Sequence, residues 1–94
     1  MRARPTPKVV ANGRVVASEI DGEFSLYDPR SEDVHILNHT ASDIWGLMDG
    51  SYSVAEVVGL LARAYGTDPA SIRADVERTV DAWVEVGLVR VEPD

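Results

Sequence analysis

The stretch DVHILNHTASDIW, Asp33 to Trp45, contains the point at which the hydrophobic periodicity of the chain changes. Val34–Leu37 is a short run rich in branched apolar residues, which predicts a strand. After Asn38 the apolar residues recur with the period of roughly 3.6 residues that is typical of an α-helix. Strands precede this junction and helices follow it, an order that predicts an α+β fold.

Two further strands are predicted before the junction. RVVASEI (Arg14–Ile20) and EFSLYD (Glu23–Asp28) are separated by Asp21-Gly22, which is a strong hairpin signal. Turn-forming residues then lead into the third strand, residues 33–37. The three strands are therefore expected to form an antiparallel meander in which the third strand is an edge.

Capping residues mark the first two helices after the junction. The first helix has capping-box spacing at Thr40–Asp43 and is expected to end at Asp49-Gly50. The second begins with a better capping box, Ser53–Glu56, and ends at Gly66.

The third helix is predicted over residues 69–86, because Asp68-Pro69 is a typical helix start and Gly87 a typical stop. Residues 88–91 are expected to be extended and to pack back on the core. Val9-Val10 either extends the first strand or stays outside it. The short connections between the helices predict winged helix-turn-helix packing. We expect the core to contain Phe24, Leu26, Ile44, Trp45, Leu61 and Tyr65.

Length and composition indicate one small globular domain. The 94 residues leave no room for a second core, and 45% of them are hydrophobic. We expect residues 1–7 to form a flexible tail and residues 8–94 a single domain. The sequence has no cysteine, no secretory signal and no apolar run long enough to span a membrane, which favours a cytoplasmic protein without a membrane partner.

The titratable residues do not form a recognisable catalytic or metal-binding set. His35 and His39 lie on either side of a strand-to-helix junction, and no spacing fixes a third ligand beside them. Gly46, Gly50, Gly59 and Gly66 lie within or at the ends of predicted helices, so no phosphate-binding loop is indicated. The sequence therefore predicts a protein that is not an enzyme and has no metal and no cofactor.

Nucleic-acid binding is a possible function of the predicted fold, but the charges disfavour it. The chain has a net charge of −7. The third helix, which would enter the major groove, carries five acidic residues between Asp68 and Glu85 against Arg73 and Arg78. A helix with this charge is repelled by phosphates. A winged-helix regulator is thus the least favoured alternative.

The remaining class is a binding module made from the third strand and the third helix. Residues 33–37 contain no proline or lysine to block their exposed edge, so an extended peptide is able to add there as a further strand. The third helix has an apolar arc of roughly 200°. Two interpretations remain open: either this helix is buried on all apolar sides, or one flank lines a groove for the peptide.

Several motifs together resemble the PqqD-like proteins. The runs His35–Asn38, Thr40-Ala41, Ile44-Trp45 and Met48–Gly50 follow the order and spacing of that family's signature. The match continues with Ser53–Glu56, Tyr65-Gly66, Asp75-Val76 and Gly87–Val89, and covers roughly residues 23–89. The resemblance implies a non-catalytic recognition element for ribosomally made, post-translationally modified peptides. It implies a winged helix-turn-helix fold in which a leader peptide adds to the third strand, 33–37, and packs against the third helix, 69–86.

Within the family, the chain is most similar to the discrete recognition proteins of lasso-peptide pathways. That branch implies a leader with a Tyr-x-x-Pro motif, a separate leader peptidase and, downstream, an ATP-dependent cyclase. The alternative is the pyrroloquinoline-quinone peptide chaperone of a radical enzyme, which usually has cysteine where Met48 stands. The resemblance implies that Val34, His35, Ile36 and Leu37 form one wall of the peptide site, and that Asp75, Val76, Thr79, Val80 and Trp83 form the other.

Overall fold

The computed structural model describes residues 7–92, which form five strands and three helices. The predicted tail lies outside these residues except for Pro7, which is exposed. The elements follow the order β1 (Lys8–Ala11), β2 (Val16–Ile20), β3 (Glu23–Asp28), β4 (Asp33–Ile36), α1 (His39–Trp45), α2 (Val54–Tyr65), α3 (Pro69–Val86) and β5 (Val89–Glu92).

The strands form two separate antiparallel sheets. The predicted three-stranded meander is confirmed as β2-β3-β4, with β4 at an edge. The second sheet pairs β1 with β5, with Val9 opposite Val91. Val9-Val10 therefore lies outside the meander. The buried side chains of Val9 and Val89 hold β1 and β5 against the core. The α+β class with a three-stranded antiparallel sheet followed by three helices is confirmed, whereas winged helix-turn-helix packing stays a prediction.

The first strand of the meander is shorter than predicted and begins at Val16 rather than Arg14. The side chain of Arg14 is bound elsewhere, through two hydrogen bonds to the carboxylate of Asp28 at 2.9 and 3.0 Å. The backbone N–H of Val15 donates to the carbonyl of Asn12 at 3.1 Å, which closes a turn before the strand. These contacts remove both residues from the strand ladder.

The cap of α1 differs from the predicted capping box at Thr40. Asn38 is the N-cap, and its side chain accepts a hydrogen bond from the Ala41 N–H at 2.8 Å. Because the cap lies two residues earlier, the helix begins directly after β4. The helix also ends at Trp45 instead of reaching Asp49. After it, the N–H groups of Leu47 and Met48 bond to carbonyls only three residues earlier, and this tighter turn directs Met48 into the core.

The caps of the other two helices are as predicted. Ser53 and Glu56 form a capping box at the start of α2. Asp68 caps α3, and Pro69 occupies its first turn. Gly66 and Gly87 end the two helices with left-handed φ values of 67° and 83°, which favour glycine.

The core lies between the helices and the inner face of the meander. Leu26 of β3 is fully buried, and Trp45 and Trp83 meet edge to face with ring centroids 5.5 Å apart. Phe24 is partly buried against this cluster. The assignment of Tyr65 to the core was wrong: its side chain is 43% exposed, because it is the last residue of α2 and extends along the surface.

Candidate functional site

The free edge of β4 is the first component of the site. The N–H of Leu37 donates to the carbonyl of Phe24 at 2.9 Å, which fixes the alternation of the antiparallel ladder. In that alternation Asp33 and His35 pair with β3, and the backbone groups of Val34 and Ile36 face away from it. Each of these two residues has one N–H and one C=O. Within residues 7–92, no strand pairs with this side of β4.

The side chains of β4 point to two different faces of the sheet. Val34 and Ile36 are 63% and 79% exposed on the outer face. His35 is half-buried on the inner face that packs against the helices. Leu37 is also on this side and is buried, but it follows the last residue of β4, which ends one residue earlier than predicted. The four residues predicted to form one wall thus divide into two that face solvent and two that face the core.

Ser42 fixes the strand edge relative to α1. Its hydroxyl accepts a hydrogen bond from the N–H of Phe24 at 2.8 Å and lies 3.5 Å from the carbonyl of Leu37. The side chain is buried. The hydroxyl therefore completes the ladder between β3 and β4 at the point where β4 ends. The sequence prediction did not include Ser42, although a polar residue on the apolar side of a helix is a usable signal.

A groove of about 330 Å³ begins where β4 ends and continues along α3. Its base is apolar and includes the buried residues Ile44, Leu61 and Val76. The start of α1 forms one rim and α3 the other. The lining residues are Asn38, Thr40, Ala41, Ile44, Leu61, Tyr65, Ile72, Asp75, Val76, Arg78 and Thr79.

The structure brings three of the five predicted α3 residues into this groove. Asp75, Val76 and Thr79 line it. Val80 and Trp83 lie in the core with 1% and 7% of their surface exposed, and neither is a lining residue. One flank of the wide apolar arc is therefore core and the other lines the groove, whereas the role of the groove as a peptide site stays a prediction.

The rim of the groove carries charges and hydroxyls. The Asp75 carboxylate forms an exposed ion pair with Arg78, and the Thr79 hydroxyl donates to the Asp75 carbonyl at 2.8 Å. These groups place a cation and hydrogen-bond acceptors close to an apolar base. The arrangement suits recognition of a side chain that is apolar with a polar end.

Tyr65 closes the groove beside α1. Its phenol donates a hydrogen bond to the carboxylate of Asp43, which joins the end of α2 to α1. Burial and this hydrogen bond raise the pKa of Tyr65 to about 12, so the phenol is neutral at physiological pH. The sequence prediction placed Tyr65 in the core and did not identify it as a groove residue. Helical periodicity does not distinguish a buried residue from one at the rim of a groove.

The remaining surfaces offer little chemistry. In the part of the chain that the structure describes, no three histidine, aspartate or glutamate residues lie close enough to hold a metal ion. No helix among those residues is both long and apolar enough to cross a membrane. The face of α3 that points away from the groove exposes Glu77, Asp81 and Glu85, which disfavours contact with nucleic-acid phosphates.

Comparison with known proteins places this geometry in context. Two solved structures have the same fold: "TbiB1 in Complex with the TbiA(beta) Leader Peptide" (TM-score 0.78, 22% identity, covering 86% of this chain and 94% of that one) and "Lasso peptide synthetase B1 complexed with the leader peptide" (TM-score 0.75, 23% identity, 88% and 98%). No curated protein sequence matches the chain. The family described as "Coenzyme PQQ synthesis protein D (PqqD)" matches residues 23–89, more than half of the sequence, and the chain therefore belongs to the PqqD family.

Proposed function

We propose that this protein binds the leader segment of a ribosomally made precursor peptide and presents it to a separate leader peptidase. The leader adds as a strand to the free edge of β4 and packs against α3, without any chemistry performed by this chain. The observation that carries the proposal is the free backbone of Val34 and Ile36, in the strand that leads into Asn38 at the groove. The leader complexes formed by the two proteins of the same fold support it.

The strength of the backbone contacts decides what else the site must supply. Val34 and Ile36 together offer two donors and two acceptors, and each hydrogen bond contributes about 0.5–1.5 kcal/mol net. Association costs about 4–15 kcal/mol, so the backbone alone gives weak binding. Each large apolar side chain buried in the groove adds about 1.5–3 kcal/mol. The groove is therefore the source of affinity and selectivity.

The pleat of the added strand determines which leader residues enter the groove. Leader residues paired with Val34 and Ile36 direct their side chains to the outer face of the sheet. Their neighbours point to the inner face, toward α3. An aromatic residue from a Tyr-x-x-Pro motif suits the groove, because its ring meets the base at Ile44 and Val76 while its hydroxyl reaches the rim.

Calorimetry with a synthetic leader tests the binding. The peptide is the leader of whichever precursor is found encoded near this gene, and we expect 1:1 stoichiometry with a Kd of about 1 μM or tighter. A scrambled leader of the same composition is the control. Failure of the native leader to bind contradicts the proposed function.

N-methylation of the leader tests the strand geometry. Methylating the amides of the leader residues that pair with Val34 and Ile36 removes hydrogen-bond donors from the ladder. Methylating the leader residues between them changes only amides that point away from β4. We expect the first peptide to lose most of its affinity and the second to keep more of it. Equal losses contradict strand addition at β4.

The choice between a peptidase and a radical enzyme as the partner needs a separate measurement. Affinity chromatography on the immobilised protein with its leader, using a leader peptidase found encoded nearby as the probe, is expected to retain the enzyme. A radical enzyme encoded nearby and retained in its place assigns the chain to the alternative pathway.

A further inference from the structure

A second cleft lies between α1 and α2, on the other side of Tyr65 from the groove. Asp43 of α1 and Leu47, two residues after the end of that helix, line one side. Leu60 and Ala64 of α2 line the other. The cleft encloses about 350 Å³, which is close to the 330 Å³ of the groove. This α1–α2 cleft is therefore large enough for one bulky side chain.

The α1–α2 cleft and the groove are neighbours with a common floor. Leu61 and Tyr65 line both of them, and Leu61 is buried. The phenol of Tyr65 donates a hydrogen bond to the carboxylate of Asp43, so these two side chains form the ridge between the groove and the cleft. A peptide that occupies the groove reaches the cleft by crossing this ridge alone.

The lining of the α1–α2 cleft is mostly aliphatic and is open to solvent. Leu60 is 39% exposed, Ala64 is exposed, and Leu47 is only partly buried. A single exposed leucine is ordinary on a protein surface, but a concave apolar lining with few polar groups is typical of a binding site. The carboxylate of Asp43 repels an acidic ligand. The lining therefore suits an aliphatic side chain.

The shape of the cleft favours a peptide side chain over a second copy of this chain. A stable interface between two folded proteins buries about 800 Å² on each partner, whereas this cleft is a concave site for one side chain. Its continuity with the groove identifies the peptide, because a leader in the groove is the chain that lies nearest. Packed helices lie about 8–10 Å apart, and an extended chain advances about 3.3 Å per residue. About three leader residues therefore span the distance from the groove to the cleft.

We propose that the α1–α2 cleft is a second subsite for the leader, and that it takes an aliphatic side chain about three residues beyond the residue that occupies the groove. The inference rests on the proposed function, since that function places the leader in the groove. The residue for the cleft belongs to the leader segment that continues past the Asn38 end of β4.

Two subsites at a fixed distance set the register of the added strand. Backbone hydrogen bonds to Val34 and Ile36 form equally well when the leader slips by two residues, because the pleat repeats every second residue. A slipped leader places its aliphatic residue on the ridge instead of in the cleft. The second subsite therefore discriminates against peptides that carry a single suitable residue.

Ala64→Arg tests the second subsite. Ala64 is exposed and lines the cleft but not the groove, so arginine there fills the cleft without disturbing the core. The matched control is Ala55→Arg, at an exposed position of the same helix that lines neither cavity. Calorimetry measures the affinity of each variant for the leader of whichever precursor is found encoded near this gene. The titrations are repeated with leaders in which each aliphatic residue is replaced by alanine in turn.

We expect Ala64→Arg to bind the native leader about tenfold more weakly than the wild type does, and Ala55→Arg to bind it equally well. One alanine-substituted leader is expected to lose about tenfold in affinity for the wild type and nothing further for Ala64→Arg, because both changes remove the same contact.

Unchanged leader affinity in Ala64→Arg overturns the second subsite, while the proposed function stands because the wild type still binds. Losses that add for every leader variant also overturn it, since they place all aliphatic leader residues outside the cleft. A wild-type protein that does not bind the leader refutes both proposals. A wild-type dimer that Ala64→Arg dissociates assigns the cleft to self-association and overturns the inference as well.

Discussion

The guanidinium of Arg14 binds both carboxylate oxygens of Asp28, at 2.9 and 3.0 Å, and donates a further hydrogen bond of 2.7 Å to the carbonyl of Gly87. Asp28 ends β3, and Gly87 follows the last residue of α3. One side chain therefore joins the meander to the end of the helix that lines the groove.

The Arg14–Asp28 pair predicts how stability changes with pH. The hydrogen bonds from Arg14 lower the pKa of Asp28 to about 2, below its ordinary value of 3.8. The pair therefore stabilises the fold fully above about pH 4, and its contribution is lost as the pH falls toward 2. Urea unfolding between pH 2 and 7 is expected to show this loss in the wild type and a smaller loss in Asp28→Asn.

Asp75→Asn is the matched control for this change. Asp75 pairs with Arg78, but both side chains are 72% exposed, and exposed pairs contribute about 0–1 kcal/mol. At pH 7 we expect Asp28→Asn to lower the Tm by about 5 °C or more and Asp75→Asn to leave it nearly unchanged. Equal Tm values for the two variants contradict a structural role for the Arg14–Asp28 pair.

Ser42→Ala is expected to destabilise the junction between β4 and α1. The substitution removes the acceptor of the Phe24 N–H, and an unsatisfied backbone group costs about 1–3 kcal/mol. Urea unfolding measures the loss. The control is Ser71→Ala on the exposed first turn of α3, which is expected to change the free energy of unfolding by less than about 0.5 kcal/mol. A Ser42→Ala protein as stable as the wild type contradicts this role.

Thr79→Arg is expected to block the groove without unfolding the protein. Thr79 lines the groove and is half-buried, so a long charged side chain there competes with the leader for the same space. We expect leader affinity to fall at least about tenfold. Ala82→Arg places the same side chain on an exposed position of α3 outside the groove and is expected to bind normally. Similar affinities for the two variants exclude the groove as the leader site.

The local signals in the sequence predicted the helix ends well. A Ser53–Glu56 capping box, the Asp68-Pro69 start and glycine at positions 66 and 87 act through neighbouring atoms, so a short stretch of sequence contains the necessary information. The cap of α1 was harder to predict, because Asn38 and Thr40 both suit an N-cap. The choice depends on where β4 ends, and that depends on pairing with β3.

Contacts between distant parts of the chain were not predictable in the same way. Val9 pairs with Val91 across almost the whole sequence, and neither strand has a local signal for the other. The two flanks of α3 have similar apolar patterns, yet Val80 is buried by the core and Thr79 lines the groove. Only the packing of α1 and α2 against the helix separates the two roles. The edge position of β4 was predictable, because it follows from the order of the three strands in the meander and from no contact with the helices.

Ile36→Pro tests the strand edge with the smallest change to the fold. The N–H of Ile36 faces away from β3, so proline at this position removes a donor needed by the leader but no hydrogen bond of the ladder. His35→Pro is the contrasting variant, because the N–H of His35 faces β3 and its loss breaks the ladder. We expect Ile36→Pro to remain folded by circular dichroism. We expect its affinity for the leader to fall at least about tenfold, since the proline ring also hinders the approach of the added strand. We expect His35→Pro to unfold at a clearly lower temperature. An Ile36→Pro protein that is folded and binds the leader normally places the peptide elsewhere than on the edge of β4.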